Sequence, residues 1–196
     1  MIRQTVLLFG PPGAGKGTQA KRLSRMLRSP HVSTGDMFRD HQGRRSDLGR
    51  KVEQILTSGA LVPDSLTNEM VRERLLRPDA ALGVILDGFP RNVAQAKWLT
   101  LFLENRGFGV RAVLVIDVPR EELRQRLKGR AQKEGRLDDA DEKVIAKRLD
   151  TYTAQTEACI AYYRGTGDPV HVIEGTGSIE EVESRILQAL GVAAPA

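Results

Sequence analysis

Short apolar runs that end at glycine or proline alternate with longer stretches of helical periodicity along this chain. The apolar runs cover 4–9, 83–87, 111–117 and 169–174, and the helical patterns cover 16–27, 64–77, 92–105, 119–130, 141–164 and 178–190. Strands that alternate with helices predict an α/β fold, with a parallel sheet covered by helices on both faces. Because ligands bind such sheets at the carboxyl ends of the strands, the segments that follow the strands are the first candidates for a site.

Two segments interrupt the alternation. Residues 33–62 carry two short helical patterns where a single crossover would suffice, and residues 130–138 are polar, contain glycine and lack periodicity. We interpret both as mobile flaps over the ligand edge of the sheet, and ordinary surface loops are the alternative.

Composition narrows the class of protein. The 196 residues are 40% hydrophobic and 28% charged, which fits one globular domain with a core. No apolar run reaches the length of a membrane span, and the N-terminus does not have the pattern of a signal peptide. The single cysteine, Cys159, cannot form an internal disulfide or a zinc site of several thiolates. We therefore expect a cytoplasmic protein.

Basic residues outnumber acidic ones, 30 to 25, and the sequence pI is about 9.6. This excess favours a polyanionic partner, either nucleic acid or free nucleotides. Aromatic residues make up only 5% of the chain, and no aromatic-and-basic stretch resembles a platform for stacking bases. Composition alone leaves both partners open.

The segment GPPGAGKGT, residues 10–18, lies between a predicted strand and a predicted helix. This is the context of a phosphate-binding P-loop, in which glycines aim backbone N–H groups at phosphate oxygens and the helix dipole adds positive potential. Lys16 is expected between the β- and γ-phosphates, and Thr18 near magnesium. Gly17 stands directly after the lysine, so whether the Thr18 hydroxyl coordinates the metal directly is left open.

The segment LDGFPR, residues 86–91, ends the second predicted strand. Asp87 is well placed to hold magnesium through water. Arg91 follows on a rigid turn and suits bidentate binding of a second phosphate. A P-loop facing a second phosphate clamp favours a kinase over a hydrolase, which would need residues that activate water.

These segments together resemble the adenylate kinase family of nucleoside monophosphate (NMP) kinases. The resemblance rests on GPPGAGKGTQ, STGDMFR, GALVPD, LDGFPRN with Gln95, RLKGR, GRLDD and KRLDTY, which occur in the family's order over nearly the whole chain. It implies a three-layer P-loop fold with a five-stranded parallel sheet, a core of 1–32, 63–125 and 139–196, an NMP-binding flap at 33–62 and a short lid at 126–138. The long zinc-binding lid of some bacterial members is missing.

The resemblance also implies roles for individual residues. The ATP site would comprise Gly13, Ala14, Gly15, Lys16, Gly17, Thr18, Arg126, Arg130 and the Gly177 backbone. The AMP site would comprise Thr34, Arg39, Ala60, Leu61, Val62, Gly88, Phe89, Pro90, Arg91, Gln95, Arg136 and Arg148. The catalytic group would comprise Lys16, Asp87, Arg91, Arg126, Arg130, Arg136 and Arg148.

The implied reaction is ATP + AMP ⇌ 2 ADP, with magnesium carried by ATP and with no zinc. Seven cations would neutralise the two meeting anions: Lys16, Arg39, Arg91, Arg126, Arg130, Arg136 and Arg148. Asp138 and Asp139 are expected either to position the lid arginines or to act only as acids at a helix N-terminus. Gly129 and Gly135 are candidate hinges.

Several alternatives remain open. A UMP/CMP kinase shares the fold, but that family typically has Ala and Asn where this chain has Thr34 and Gln95. GTP could replace ATP as the donor. A nucleic-acid-binding ATPase and a non-catalytic nucleotide sensor belong to other classes. We expect a monomer that acts on ATP, AMP and ADP in energy homeostasis, with no nucleic-acid or membrane partner. His31, His41 and His171 are assigned no function, and Trp98 and Cys159 are expected to be packing residues.

Overall fold

The structure is a computed structural model that describes residues 3–134 and 139–193. Its strands are β1 (Arg3–Phe9), β2 (His31–Ser33), β3 (Gly83–Asp87), β4 (Phe108–Asp117) and β5 (Val170–Glu174). Its α-helices are α1 (Lys16–Leu27), α2 (Thr34–Gly43), α3 (Asp47–Thr57), α4 (Asp64–Leu75), α5 (Val93–Glu104), α6 (Arg120–Glu134), α7 (Glu142–Thr151), α8 (Glu157–Gly165) and α9 (Ile179–Ala189). A 3₁₀ turn covers Pro78–Ala80, and a π-helical segment, Tyr152–Thr156, joins α7 to α8.

The five strands form one parallel sheet in the order β2-β3-β1-β4-β5. Near the carboxyl end of the central strand β1, Leu8 is in register with Asp87 of β3 and with Leu114 of β4. The loop after β1 therefore opens at the middle of the ligand edge, directly beside the end of β3.

Helices cover both faces of the sheet because successive strand residues point to opposite sides. In β1, Val6 and Leu8 belong to one buried cluster, while Leu7 and Phe9 belong to the other. The first cluster includes residues of α1, α6, α7 and α9, and the second includes residues of α4, α5 and α8. This three-layer arrangement confirms the predicted α/β P-loop fold.

Residues 33–62 form two helices, α2 and α3, as the pattern predicts. A third small cluster of Phe38, Val52, Val62 and Met70 packs them against α4. The division into core, flap and lid stays a prediction. The residues 126–134 of the predicted lid continue α6 as a regular helix, and Gly129 lies within it. Gly135 and the rest of the predicted lid up to residue 138 lie outside the described residues.

Candidate active site

The P-loop backbone adopts conformations that favour glycine. Gly10 and Gly15 have φ angles of 145° and 89°, in the left-handed range that a side chain disfavours. A Cβ atom on Gly10 would also lie 2.6 Å from the carbonyl oxygen of Ile116. Gly15 caps α1 without a side chain, and a Cβ atom there would meet no atom within 4 Å. The N-terminus of α1 consequently opens into free space, as an anion-binding loop requires.

Lys16, the first residue of α1, folds back over this loop. Its Nζ donates hydrogen bonds to the carbonyl oxygens of Gly10 at 2.7 Å and Pro11 at 3.0 Å. Burial lowers the pKa of Lys16, Asp87 opposes this effect, and the positive charges of Arg91, Arg130 and Arg148 add to it, so that the pKa is about 8. The ammonium group is thus held among cations, in a site that would be stabilised by an incoming polyphosphate.

Asp87 lies at the end of β3, buried against the P-loop. A Cβ atom on Gly17 would be 3.5 Å from its Oδ2. Burial alone would raise the pKa of Asp87, but the contact with His31 and the charges of Lys16 and Arg91 hold that pKa below its usual range. A carboxylate kept ionised beside the phosphate loop has the chemistry of a magnesium-binding group.

His31 is a site residue that sequence reasoning missed. Its Nε2 lies 3.4 Å from Asp87 Oδ2, and both side chains are largely buried. His31 occupies β2, a strand that the apolar pattern does not predict, next to β3 in the sheet. No sequence pattern indicated it, because β2 has only three residues; in the structure, Ser33 of β2 pairs with Asp87 and His31 pairs with Ile85.

Asp139 joins two of the predicted catalytic arginines. Its Oδ2 accepts from Arg130 Nε at 2.6 Å, and its Oδ1 accepts from Arg130 at 3.0 Å and from Arg148 at 2.5 Å. Although Asp139 is buried, the two guanidinium groups keep its pKa below the usual value. Of the two roles left open for this residue, the structure therefore supports the positioning of arginines. Arg136 and Asp138 lie outside the described residues.

Two other arginines are held by acids on their own helices. Arg126 donates to Glu122 at 2.5 Å and to the carbonyl oxygen of Gly175 at 3.0 Å, which places it beside the glycine loop that contains Gly177. Arg39 forms an ion pair with Asp36 in the first turns of α2. Both guanidinium groups are partly exposed and can exchange these partners for phosphate.

The turn after β3 links the start of α2 to α5. The carbonyl oxygen of Gly88 accepts hydrogen bonds from Thr34 Oγ1 at 2.9 Å and from Arg91 Nε at 2.8 Å. The Phe89–Pro90 peptide bond is cis. Gln95 is buried behind this turn, where it contacts Arg91 and Asp64.

One cleft of about 580 Å³ lies above the P-loop and gathers most of the predicted residues. It is lined by Gly13, Gly15, Lys16, Gly17, Thr18, Arg39, Leu61, Asp87, Gly88, Pro90, Arg91, Arg126, Arg130 and Arg148. Seven cations were predicted, and the structure describes all of them except Arg136. All six described cations are in this list. The cleft also contains residues that were not predicted as site residues, among them Lys21, Lys133, Thr151, Tyr152 and Thr156.

Seven predicted site residues are not part of the cleft wall: Ala14, Thr34, Ala60, Val62, Phe89, Gln95 and Gly177. The side chains of Ala14, Val62 and Phe89 belong to the hydrophobic clusters, so these residues can contribute to a site only through the backbone. Thr34 and Gln95 are buried polar residues beside the turn that carries Arg91.

Trp98 and Cys159 are packing residues, as predicted. Trp98 packs edge-on against Phe89 and stacks on Phe102. Cys159 is buried, and burial raises the pKa of its thiol to about 12. Within the described part of the chain, no three His, Cys, Asp or Glu side chains cluster as a metal site would require. Every helix in that part is too short or too polar to cross a bilayer.

A phosphate-binding loop at the centre of a parallel sheet, facing a ring of arginines, defines a P-loop phosphotransferase. The sequence model of the family "Adenylate kinase" matches residues 8–168. The chain is 48% identical to the adenylate kinase of Kocuria rhizophila over 185 residues, which cover 94% of this chain and 97% of that protein. It is 48% identical to the adenylate kinase of Mycobacterium tuberculosis strain H37Rv over 186 residues, covering 95% and 98% of the two chains. The chain belongs to the adenylate kinase family, which confirms the resemblance.

Proposed function

We propose that this protein catalyses the reversible transfer of the terminal phosphoryl group of magnesium-bound ATP to AMP, giving two molecules of ADP. Its relatives carry the name adenylate kinase. The observation that carries the proposal is the convergence of Lys16, Arg39, Arg91, Arg126, Arg130 and Arg148 on one cleft above the P-loop.

Phosphoryl transfer needs alignment and neutralisation of charge more than covalent chemistry. ATP and AMP together bring about six negative charges, of which magnesium cancels two, so repulsion in a closed site is worth several kcal/mol. Lys16 and the P-loop N–H groups bind the ATP phosphates, Arg91 and Arg39 bind the AMP phosphate, and Arg130 and Arg148 face the group in transfer. No general base is needed because the attacking oxygen of AMP is already ionised.

Magnesium enters this site as part of the ATP substrate. The ionised carboxylate of Asp87 fits that ion, since it lies against Gly17 of the P-loop and keeps a lowered pKa despite its burial. Thr18, at the exposed edge of the same loop, is the second candidate. The chain needs no zinc in this proposal, because it has one cysteine.

AMP is the proposed acceptor because Gln95 and Thr34 flank the turn that carries Arg91. The amide of Gln95 offers both a donor and an acceptor, which match the amino group and adjacent ring nitrogen of adenine. Residues 33–62 and 126–138 would act as the flap and the short lid that exclude water when both substrates are bound. We further propose a cytoplasmic monomer whose partners are these nucleotides rather than nucleic acid or a membrane.

The test is a coupled assay of ADP formation across ATP and GTP as donors and AMP, UMP and CMP as acceptors. We expect ATP with AMP to give the highest kcat/KM, magnesium to be required, and a zinc-selective chelator to have no effect.

Lys16→Ala should lower kcat by on the order of a hundredfold or more, because the negative charge of the transition state loses the ammonium group that stabilises it. The control Lys97→Ala removes the same charge from the exposed face of α5 and should leave activity unchanged. Preference for UMP or CMP, or a loss under threefold in Lys16→Ala, would contradict the proposal.

A further inference from the structure

Gln95 is held in one orientation by two protein groups of opposite hydrogen-bonding character. Its Nε2 donates to Oδ1 of Asp64 at 2.7 Å, and its Oε1 accepts from the backbone N–H of Arg91 at 2.8 Å. The side chain is buried, at 2% exposure. Both partners come from fixed positions, because Asp64 is the first residue of α4 and Arg91 lies in the turn before α5.

Asn92 ties Asp64 to the start of α5. Its Oδ1 caps that helix by accepting from the backbone N–H of Gln95 at 2.8 Å, and its Nδ2 donates to Asp64 Oδ1 at 2.9 Å. Asp64 Oδ1 thus accepts from two side-chain amides at once. The carboxylate and the glutamine are fixed with respect to each other by the cap of a helix.

This arrangement removes an ambiguity that a glutamine ordinarily has. A free amide can rotate by 180° and present its donor and its acceptor in either order. An ionised carboxylate only accepts and a backbone N–H only donates. A rotated Gln95 would therefore place Oε1 against a carboxylate and Nε2 against an N–H, which leaves both buried contacts unpaired.

The order of donor and acceptor on the Gln95 amide matters because nucleotide bases present their own donors and acceptors in different orders. Adenine presents an amino donor beside a ring-nitrogen acceptor, whereas hypoxanthine presents a carbonyl acceptor beside a ring N–H donor. The two purines have nearly the same size and shape, so a pocket that measures only shape accepts both. A glutamine that rotates freely also pairs with both, whereas a fixed one pairs with a single order.

We propose that Asp64 is a specificity-determining positioning residue, which fixes the Gln95 amide so that the acceptor site takes a 6-amino purine and rejects a 6-oxo purine. The proposal rests on the function proposed above, in which the acceptor base contacts Gln95. Each amide atom of Gln95 has one further hydrogen-bonding position beyond its protein partner, and these two positions are the ones that read the base.

The experiment compares kcat/KM for AMP and for inosine monophosphate (IMP), with ATP saturating, in the wild type and in Asp64→Asn. The substituted side chain keeps its shape but can donate as well as accept, so a rotated Gln95 regains a partner at this position. We expect the wild type to prefer AMP strongly, and the AMP/IMP ratio to fall about tenfold in Asp64→Asn, with the KM for ATP unchanged. The fall is partial because the Arg91 N–H still favours the original orientation.

Asp79→Asn is the matched control, since it makes the same change at an exposed aspartate that pairs with Arg74. Its AMP/IMP ratio should equal that of the wild type. In a Gln95→Leu background, Asp64→Asn should have no further effect on the ratio. Thermal unfolding checks that each variant is folded, and Asp64→Ser, whose hydroxyl also donates and accepts, replaces Asp64→Asn if the latter is not.

The outcomes separate this inference from the proposed function. Equal losses for AMP and IMP in Asp64→Asn, with the ratio unchanged, would show a merely structural role and overturn the inference. Wild-type enzyme that uses AMP and IMP equally would overturn it as well. Wild-type enzyme that forms no ADP from ATP and AMP would instead refute the proposed function.

Discussion

At the residue scale, the site works by holding charges close together before any substrate is present. Besides burial, the positive charges of Arg91, Arg130 and Arg148 lower the pKa of Lys16, and Asp87 opposes them. Such repulsion is relieved when an anion binds, so it strengthens the binding of phosphate rather than the fold. Perturbed groups concentrated in one cleft are typical of catalytic sites.

The lowered pKa of Lys16 leads to a prediction about pH. A lysine with a pKa of about 8 loses its proton well below the ordinary value of 10.5. We therefore expect kcat/KM for magnesium-ATP to be constant below about pH 7.5 and to fall as the pH rises through about 8, since this parameter reports the free enzyme. Bound ATP raises the pKa of Lys16 again, so kcat/KM for AMP at saturating ATP should decline only at higher pH.

The measurement is a pair of pH profiles, from about pH 6.5 to about pH 10, for the two substrates. The AMP profile serves as the internal control, because it reports the ATP-bound enzyme. An ATP profile that stays flat to about pH 9.5, or that falls together with the AMP profile, would contradict the assignment of Lys16.

At the element scale, the π-helical segment Tyr152–Thr156 joins α7 to α8, and its two ends, Tyr152 and Thr156, line the cleft. Such segments insert one extra residue into a helical turn and are frequent at functional sites. Here Thr156 is buried and its Oγ1 donates to the carbonyl oxygen of Arg91 at 3.0 Å. The Sγ of Cys159 contacts the carbonyl oxygen of Asn92 at 3.4 Å. The backbone around Arg91 is thus held by residues of this segment and of α8.

We predict that Thr156→Val raises the KM for AMP about three- to tenfold and changes the KM for ATP less than twofold. Valine keeps the shape of threonine but cannot donate a hydrogen bond, so the Arg91 carbonyl loses its partner and the turn loses its anchor. Thr156→Ser, which keeps the hydroxyl, is the control and should behave like the wild type. Steady-state kinetics with each substrate varied in turn make the comparison, and equal effects on both KM values would refute the assignment.

Much of this architecture could be predicted from the sequence, and the gaps have physical causes. The strands β1, β3, β4 and β5 are long enough for an apolar run to be visible, whereas β2 has only three residues and no readable period. The π-helical segment was missed because Tyr152 to Thr156 continue the helical pattern, so 141–164 was predicted as a single helix. The contact between His31 and Asp87 depends on β2, so it was not predicted either.

The candidate site was predictable to a similar extent. Glycines and cations of the P-loop stand together in the sequence, so their function follows from local spacing. Asp64 and Thr156 could not be found in this way, because they act through contacts with residues 28 and 65 positions away. Contacts at such separations are set by the packing of α4, α5 and α8, which no local pattern specifies.

At the scale of the whole molecule, the end of the predicted flap, residues 33–62, approaches α7 closely. Gly59, with φ of 70°, follows α3, and a Cβ atom there would lie 2.8 Å from Cγ of Arg148 and 3.1 Å from Cγ1 of Val144. The absence of a side chain at this position allows the flap to contact the same arginine that Asp139 holds. The proposed AMP and ATP sites therefore lie on two sides of the same cleft.

This geometry predicts that a single molecule made of two adenosines joined by five phosphates binds far more tightly than ATP or AMP. Such a compound would place one adenosine on each side and run its phosphates past Lys16, Arg91 and Arg148. Linking two ligands removes much of the entropic cost of the second binding event, so we expect a Kd on the order of a hundredfold or more below that of ATP. Calorimetric titration in the presence of magnesium should give one bound molecule of this compound per chain.

The analogue with three linking phosphates is the control, since it is too short to make both sets of contacts and should bind little more tightly than ATP. If the five-phosphate compound bound no better than ATP, the two sides would not form one continuous site, and direct transfer between ATP and AMP would have to be abandoned.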